Sequence, residues 1–224
     1  NGHVFSNDFI SEQEALDTLM QNLDGEPLSD PRLLKFTTGR RKQFWNKNVV
    51  AIGLSSGFLE PLESTSIHLI QAGIAKLLAL FPTTDFDQHV IDEYNRIAIN
   101  EFEAIRDFLI LHYKLTERDD SEMWRYCKNM PIPATLESKL LHFESFGRVI
   151  KGEMDLFADA SWLAVYIGQG LRPKQRDPLM SYRNSEGDVW LSKLHQALHQ
   201  AAQQLPSHAD YIAKHCRSDI NFMS

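Results

Sequence analysis

The chain has 224 residues, of which 43% are apolar and 24% are charged, and its formal net charge is −7. This length and composition are typical of a folded protein with a substantial hydrophobic core. The acidic balance argues against general nucleic-acid binding, because phosphate contacts need clustered Lys and Arg. No apolar run approaches the roughly 18 residues that predict a membrane span, so no membrane association is expected.

Two features of the sequence concern its cellular setting and its extent. Only two cysteines, Cys127 and Cys216, are present, which excludes a disulfide scaffold and favours a reducing compartment. The first eight residues lack the basic-then-apolar order of a signal peptide, so a cytoplasmic location is expected.

Asn1-Gly2 is a hairpin-turn signal whose first strand would precede residue 1. We therefore expect the chain to be the C-terminal part of a longer protein.

The front of the chain predicts one helix and a short buried strand. Ser11 and Glu14 form a capping-box pattern that opens a helix, which ends before Gly25. Residues 33–37 are a second candidate strand. The apolar run at residues 48–53 ends in a glycine, which is typical of a buried strand of a parallel sheet.

From residue 64 onwards apolar residues recur mainly at helical spacing, so the rest of the chain is predicted to be helical. The fold class is therefore mainly α, with a few strands near the N-terminal end. The predicted helices cover residues 64–81, 86–112, 135–143, 153–167, 188–204 and 208–215, with a short one after Ser121 that carries Trp124.

The segment of residues 53–66 joins the predicted strand to the next helix and is the best candidate for chemistry. Ligands of α/β sheets bind at such junctions, and the first turn of a helix presents free N–H groups to an anion. Thr65 and Ser66 are the candidate donors, and Glu63 is a cap, a base or an electrostatic anchor. The residues alone leave open the alternative that Ser64 and Thr65 only cap the helix and that the neighbouring carboxylates are solvated.

Residues 50–65 read Val-Ala-Ile-Gly-Leu-Ser-Ser-Gly-Phe-Leu-Glu-Pro-Leu-Glu-Ser-Thr. This run resembles the signature of flavin-dependent tryptophan halogenases, and the contiguous stretch Glu-Pro-Leu-Glu-Ser-Thr is its most specific part. Further similarity is spread over nearly the whole chain, at residues 2–11, 106–124, 168–173 and 208–213.

The resemblance implies the C-terminal helical part of an α/β flavoprotein with two modules. In this family a bound halide is oxidised to hypohalous acid with reduced FAD (FADH2) and O2, and the acid reaches a lysine and a glutamate beside an aromatic substrate. Residues 1–63 would be the remnant of the flavin-binding module and residues 64–224 the helical substrate-side module. A separate flavin reductase would supply the reduced FAD, and a homodimer is a candidate assembly.

The resemblance also assigns the reacting residues. Glu63 corresponds to the catalytic glutamate, and Thr65 and Ser66 correspond to the pair that binds chloride or bromide. The family has a glycine where this chain has Ser66, which still supplies a backbone N–H. We expect this difference to change either the local geometry of the halide site or the preference between chloride and bromide.

The remaining assignments concern the cofactor and the organic substrate. Gly53, Leu54 and Ile67 correspond to the flavin-contacting segment. Phe157 and Trp162 are candidates for lining the aromatic pocket. The family's paired tyrosines have no counterpart in this region, so we expect an indole or another aromatic substrate rather than free tryptophan.

Three alternatives accompany this interpretation. A flavin-dependent aromatic hydroxylase is disfavoured, because its usual Gly-Asp flavin motif is replaced by Gly53-Leu54. A helical interaction module that kept the halogenase turn would not be an enzyme. His195 and His199 have a spacing that can bind zinc, but their Gln-rich surroundings predict a solvated face and no metal. The catalytic lysine and the flavin fingerprint of the family are absent from this sequence, so the chain alone is expected to be inactive.

Overall fold

A computed structural model of the chain describes residues 1–182 and 186–216, which form one compact unit up to Gln175 and a second from Arg176 onwards. The helices are α1 (Glu12–Gln21), α2 (Ser66–Ala79), α3 (Gln88–Lys114), α4 (Glu122–Asn129), α5 (Ala134–Phe146), α6 (Asp159–Gly168), α7 (Glu186–Gln204) and α8 (His208–His215). Four two-residue strands lie between α1 and α2, at Gly39–Arg40 (β1), Trp45–Asn46 (β2), Val49–Val50 (β3) and Gly57–Phe58 (β4). The prediction of a mainly helical chain is thus confirmed.

The strands do not form the parallel sheet that residues 48–53 predicted. β2 and β3 are the arms of an antiparallel hairpin in which Trp45 lies opposite Val50, and β1 pairs antiparallel with β4. The prediction was wrong because the hairpin buries Trp45, which is 1% exposed, whereas Val49 is 63% exposed. Residues 33–37, the other candidate strand, are not in a strand.

Helix boundaries follow the predicted caps where polar side chains satisfy the free N–H groups. At the start of α1, Ser11 Oγ accepts from the Glu14 N–H and the Glu14 carboxylate accepts from the Ser11 N–H. The helix predicted from residue 153 instead begins at Asp159. Asp155 accepts from the Gly152 N–H at 2.8 Å and pairs with a lysine of α5, so these residues form a turn.

α3 is the central element of the first unit. Its 27 residues span about 40 Å at the usual helical rise, and its two halves face different hydrophobic clusters. The cluster on its N-terminal half contains Phe44, Trp45, Ile91, Tyr94, Ala98 and Phe102. The cluster on its C-terminal half contains Phe108, Leu111, Leu136, Leu140, Phe143, Trp162 and Tyr166.

A buried asparagine attaches the β2–β3 hairpin to α3. Asn95 Oδ1 accepts from the backbone N–H groups of Phe44 and Trp45 at 2.7 and 2.8 Å, and Asn95 Nδ2 donates to the Trp45 carbonyl at 2.8 Å. Buried backbone groups that lose such partners cost free energy. Asn95 therefore supplies the backbone hydrogen-bond partners that a neighbouring strand would supply in a larger sheet.

A second buried polar group lies in the C-terminal cluster. Lys139 pairs with Asp155 at 2.5 Å and places its ammonium 4.1 Å from the centre of the Trp162 ring. The Tyr166 hydroxyl beside them is buried and has no hydrogen-bond partner among the described residues. Burial raises the pKa of Tyr166, and the negative charge of Asp155 raises it further.

The second unit contains α7 and α8. Its apolar side chains, including Trp190, Leu191 and Leu198, are largely exposed. Over the residues that the structure describes, no helix combines the length and apolar character that crossing a bilayer would need.

The first prediction concerns the asparagine. Asn95→Ala leaves two buried N–H groups without an acceptor, so the free energy of unfolding is expected to fall by at least about 2 kcal/mol. Urea unfolding followed by tryptophan fluorescence measures the change. Asn129→Ala is the matched control, because Asn129 is exposed and only donates to the Arg125 carbonyl of its own helix. Equal losses in the two variants would contradict the role of Asn95.

The second prediction concerns Tyr166. Its raised pKa means that the stability it contributes is fully present below the unfolded value of about 10 and is lost as the pH rises above it. Tyr166→Phe removes this titration and also removes a buried hydroxyl without a partner. We expect unchanged or higher stability at pH 7 and a flatter decline of stability above pH 10 (about the unfolded tyrosine pKa). A large loss of stability at pH 7 would show that the hydroxyl has a partner.

Candidate active site

The backbone between β3 and α2 makes two sharp turns. Gly53 has a φ of +67°, and a Cβ at this position would come within 3.3 Å of the Ile70 side chain, so the turn requires glycine. A 3₁₀ turn at Pro61–Glu63 is followed by Ser64 in the left-handed region, at φ 51° and ψ 37°. Left-handed residues other than glycine are uncommon and concentrate at functional sites. Ser64 redirects the chain from the glutamate into α2.

Contacts with α3 hold α2 in place. The Tyr94 hydroxyl donates to the Gly73 carbonyl at 3.2 Å, and Gly73 is buried where the two helices meet. Lys76 pairs with Glu101 at 2.5 Å, and His68 approaches the other oxygen of the same carboxylate at 3.4 Å. The start of α2 is therefore fixed relative to α3.

Glu63 contacts the last turn of α3. Its Oε1 lies 3.1 Å from His112 Nε2, with 32% of the Glu63 side chain and 19% of the His112 side chain exposed. The alternative that Glu63 is a solvated carboxylate is therefore wrong. The residue has a specific partner and remains accessible on one side.

The neighbouring glutamate of the same turn also meets α3. Glu60 Oε1 is buried and has no hydrogen-bond partner among the described residues, and the Tyr113 hydroxyl interacts with the Glu60 carboxylate. Burial raises the pKa of Tyr113, and the negative charge of Glu60 raises it further. His112 and Tyr113 are consecutive residues, so the end of α3 contacts both glutamates of the turn.

The start of α2 carries the predicted halide residues. Thr65 is buried and lies at the N-cap position, but no side chain of the described residues accepts from the N–H groups of the first turn. The Ser64 hydroxyl points back to the Pro61 carbonyl, at 3.4 Å. The alternative that Ser64 and Thr65 merely cap the helix is therefore wrong. Ser66 is the first helical residue and is exposed, so this end of α2 offers an anion free N–H groups and the positive end of the helix dipole.

The predicted flavin positions lie beside this helix. The short 3₁₀ turn that contains Gly53 and Leu54 packs against α2. The side chains of Leu54 and Ile67 are 77% and 70% exposed. Two exposed apolar side chains and a glycine without a Cβ form a surface that can receive an apolar ring.

The predicted aromatic residues connect to Glu63 through a chain of rings. Phe157 stacks on Phe108 with 3.9 Å between ring centres, and Trp162 meets Phe108 edge-on at 4.9 Å. Phe108 in turn lies edge-on to His112 at 4.9 Å. Trp162 is 1% exposed and belongs to the core, whereas Phe157 is half-buried.

Sequence reasoning did not identify His112 as a site residue. It lies 49 positions after Glu63 in the sequence, inside a stretch that resembles the family but that carries no local signal of a contact with Glu63. The two histidines with zinc-like spacing, His195 and His199, are exposed on α7. Within residues 1–182 and 186–216, no group of three or more His, Cys, Asp or Glu side chains is arranged to hold a metal ion.

Comparisons with known proteins agree on one family. The family model described as tryptophan halogenase matches residues 1–185. The 7-chloro-L-tryptophan 6-halogenase KtzR of Kutzneria sp. (strain 744) is 30% identical over 219 residues, which cover 95% of this chain and 42% of that protein.

Solved structures give the same result. BrvH, a flavin-dependent halogenase from Brevundimonas sp. BAL3, is 45% identical with a TM-score of 0.88, over 94% of this chain and 43% of that one. Xcc4156, a flavin-dependent halogenase from Xanthomonas campestris, is 41% identical with a TM-score of 0.90, over 96% and 43%. The chain thus spans about two fifths of the length of these relatives. The family match over most of the chain and the structural similarity lead to one conclusion: the chain belongs to the tryptophan halogenase family of flavin-dependent halogenases.

Proposed function

We propose that the chain is the C-terminal part of a halogenase that uses FADH2, O2 and chloride or bromide to halogenate an indole-like aromatic substrate by way of hypohalous acid. The observation that carries this proposal is the accessible carboxylate of Glu63 beside a helix N-terminus that no side chain caps. Residues 1–63 would complete the flavin side of the whole protein, and residues 64–224 would form its substrate side.

The start of α2 suits a halide. A halide ion is a small anion, and unpaired N–H groups at a helix N-terminus stabilise negative charge by direct hydrogen bonds and by the helix dipole. The Ser66 hydroxyl adds a further donor at the same position. Because Glu63 is held by His112 rather than by these N–H groups, the carboxylate does not occupy the anion site.

The residues beside α2 fit a flavin. Gly53 exposes its backbone, and Leu54 and Ile67 present apolar surface that a planar ring system can cover. Reduced flavin held there would supply two of the four electrons that reduce O2, and the halide would supply the other two, so that one oxygen atom enters hypohalous acid and the other enters water. The exposed apolar face of α2, which includes Ile74 and Leu78, supports packing against a further part of the whole protein.

Glu63 has two roles open to it in the halogenation step. As the aromatic ring forms its carbon–halogen bond, the oxygen–halogen bond breaks and the ring carbon must lose its proton. A carboxylate can orient the electrophilic halogen and can accept this proton. Phe157, which is half-buried and stacks on Phe108 next to His112, supports an aromatic substrate on this side.

The substrate is proposed to be an indole rather than free tryptophan. KtzR is described as a 7-chloro-L-tryptophan 6-halogenase, yet the segment before α6 is short in this chain and has no tyrosine pair. The ammonium and carboxylate groups of free tryptophan need polar partners such as tyrosine hydroxyls. An indole needs only apolar contacts and one acceptor for its N–H. A flavin hydroxylase would use a similar architecture and is distinguished by its product.

The third prediction tests the function directly. The longest natural form of the protein, supplied with FADH2, O2, bromide and indole, should give a product with the bromine isotope doublet in mass spectra. Glu63→Gln should lower the rate by roughly 10²- to 10⁴-fold, because an amide can neither carry the charge nor accept a proton.

The control for this variant is Glu93→Gln. Glu93 also pairs with a cation, Arg96 at 2.8 Å, but lies exposed on the surface of α3, and its loss should leave the rate unchanged. Hydroxylated indole without bromine would assign the protein to the hydroxylases. Normal turnover of Glu63→Gln would remove Glu63 from the mechanism.

The fourth prediction concerns the halide. Ser66→Asp places a negative charge at the start of α2, where it repels an anion by about 1 kcal/mol or more at 4 Å. The KM for bromide should rise at least about fivefold, and Ser66→Asn, which has the same shape without the charge, should change it far less. The helix itself should be stabilised by Asp at this position, so the melting temperature should not fall. An unchanged bromide KM in Ser66→Asp would place the halide elsewhere.

A further inference from the structure

His112 contacts Glu63, and neither the sequence pattern nor the proposed chemistry explains this contact. Its ring lies in the last turn of α3, and both of its nitrogens face oxygen atoms. Nδ1 is 2.8 Å from the Phe108 carbonyl oxygen, and Nε2 is 3.1 Å from Glu63 Oε1.

The identity of these two oxygens fixes the protons on the ring. A backbone carbonyl only accepts hydrogen bonds, so Nδ1 must carry a proton. The Nε2–Oε1 contact requires one proton between the two groups, and this proton belongs on Nε2 because a carboxyl is a stronger acid than an imidazolium. A neutral ring with Nδ1–H would turn its Nε2 lone pair towards the carboxylate oxygen. The geometry therefore calls for an imidazolium paired with a carboxylate.

The surroundings of His112 favour the charged ring and hold its plane. The C-terminal end of a helix stabilises a positive charge through the helix dipole, and His112 lies within the last turn of α3. The Phe108 ring packs edge-on against the imidazole, with planes 86° apart. The carbonyl and the phenyl ring of the same residue thus restrain the orientation of His112.

The second carboxylate oxygen of Glu63, Oε2, differs from Oε1 in its contacts. No hydrogen bond to Glu63 Oε2 is found among the described residues, and about a third of the side chain is exposed. A carboxylate anchored through one oxygen presents the second in a fixed direction. Such pre-positioning matters because a displacement of about 1 Å at a reacting group can cost about 10²-fold in rate.

We propose that His112 is the positioning residue of Glu63: its imidazolium donates Nε2–H to Glu63 Oε1 and directs Oε2 towards the reacting molecules. The catalytic part of this inference rests on the proposed function, whereas the ion pair does not. The role is distinct from that of Tyr113, which meets the other glutamate of the turn.

The ion pair is tested on the longest natural form of the protein. In a sample labelled with ¹⁵N-histidine at pH 7, long-range ¹H–¹⁵N spectra should show both His112 nitrogens protonated. In Glu63→Gln the same signals should change to those of a neutral ring with Nδ1–H. The His112→Gln spectrum assigns the signal by its loss.

His142 is the internal control. Its Nδ1 lies 2.7 Å from the carbonyl four residues earlier, as in His112, but no carboxylate contact of His142 is found in the described part of the chain. Its signals should not respond to Glu63→Gln. A neutral His112 in the wild-type chain, or a His112 signal that Glu63→Gln leaves unchanged, would overturn the inference.

The catalytic part is tested with the longest natural form of the protein and the indole bromination assay. His112→Ala should lower kcat by about 10²-fold, as expected for a misplaced reacting group, with the KM for indole changed by less than about twofold. His112→Gln keeps a neutral donor, so it should recover part of this loss. The matched control His142→Gln should match wild type.

The histidine spectra and the bromination assay together distinguish a failure of the proposed function from a failure of the positioning role. If the wild-type protein does not halogenate but the spectra show the imidazolium, the proposed function fails and the ion pair stands. If it halogenates and His112→Ala keeps the wild-type kcat, the positioning role is wrong. Thermal unfolding followed by circular dichroism checks that each variant is folded, and Glu63→Gln leaves the histidine intact for the spectra.

Discussion

The structure depends on one constraint: a single long helix must serve two hydrophobic cores. The N-terminal half of α3 buries Ile91, Tyr94 and Phe102 against the hairpin and α2, and its C-terminal half buries Phe108 and Leu111 against α5 and α6. Because a helix of this length is nearly rigid, the strands, the Glu63 turn and the helices α5 and α6 are all positioned relative to the axis of α3. The Glu63 turn lies against the end of that axis, at His112.

The candidate site is built from backbone features that need this support. A left-handed Ser64 and an uncapped first turn of α2 are each unfavourable in isolation. They persist because contacts on α3 hold both sides of the turn, through Gly73 on α2 and through the two glutamates that face His112 and Tyr113. The arrangement leaves a carboxylate oxygen and a set of N–H groups accessible at neighbouring positions, which is the pairing that a halide and an aromatic substrate would use.

The sequence predicted the helices well because their signals are local. The capping box at Ser11 and the spacing of apolar residues along α3 depend only on neighbours in the chain. The parallel strand was wrong because residues 49–50 pair antiparallel with residues 45–46, and the backbone of this hairpin is satisfied at Phe44 and Trp45 by Asn95, some 50 residues further along the chain. The same limit applies to the site: the run around Glu63 identified the family, whereas the contact with His112 spans 49 positions and appears only when α3 folds back over the turn.

The central claim is that the turn before α2 is a halide site next to a positioned glutamate. Crystals of the longest natural form of the protein, grown with FAD and soaked in bromide, test it most directly by anomalous scattering at the bromine absorption edge. We expect a bromide peak within hydrogen-bond distance of the backbone N–H groups at Thr65 and Ser66, with Glu63 still in contact with His112. Bromide peaks elsewhere on the protein, with none at the start of α2, would contradict it.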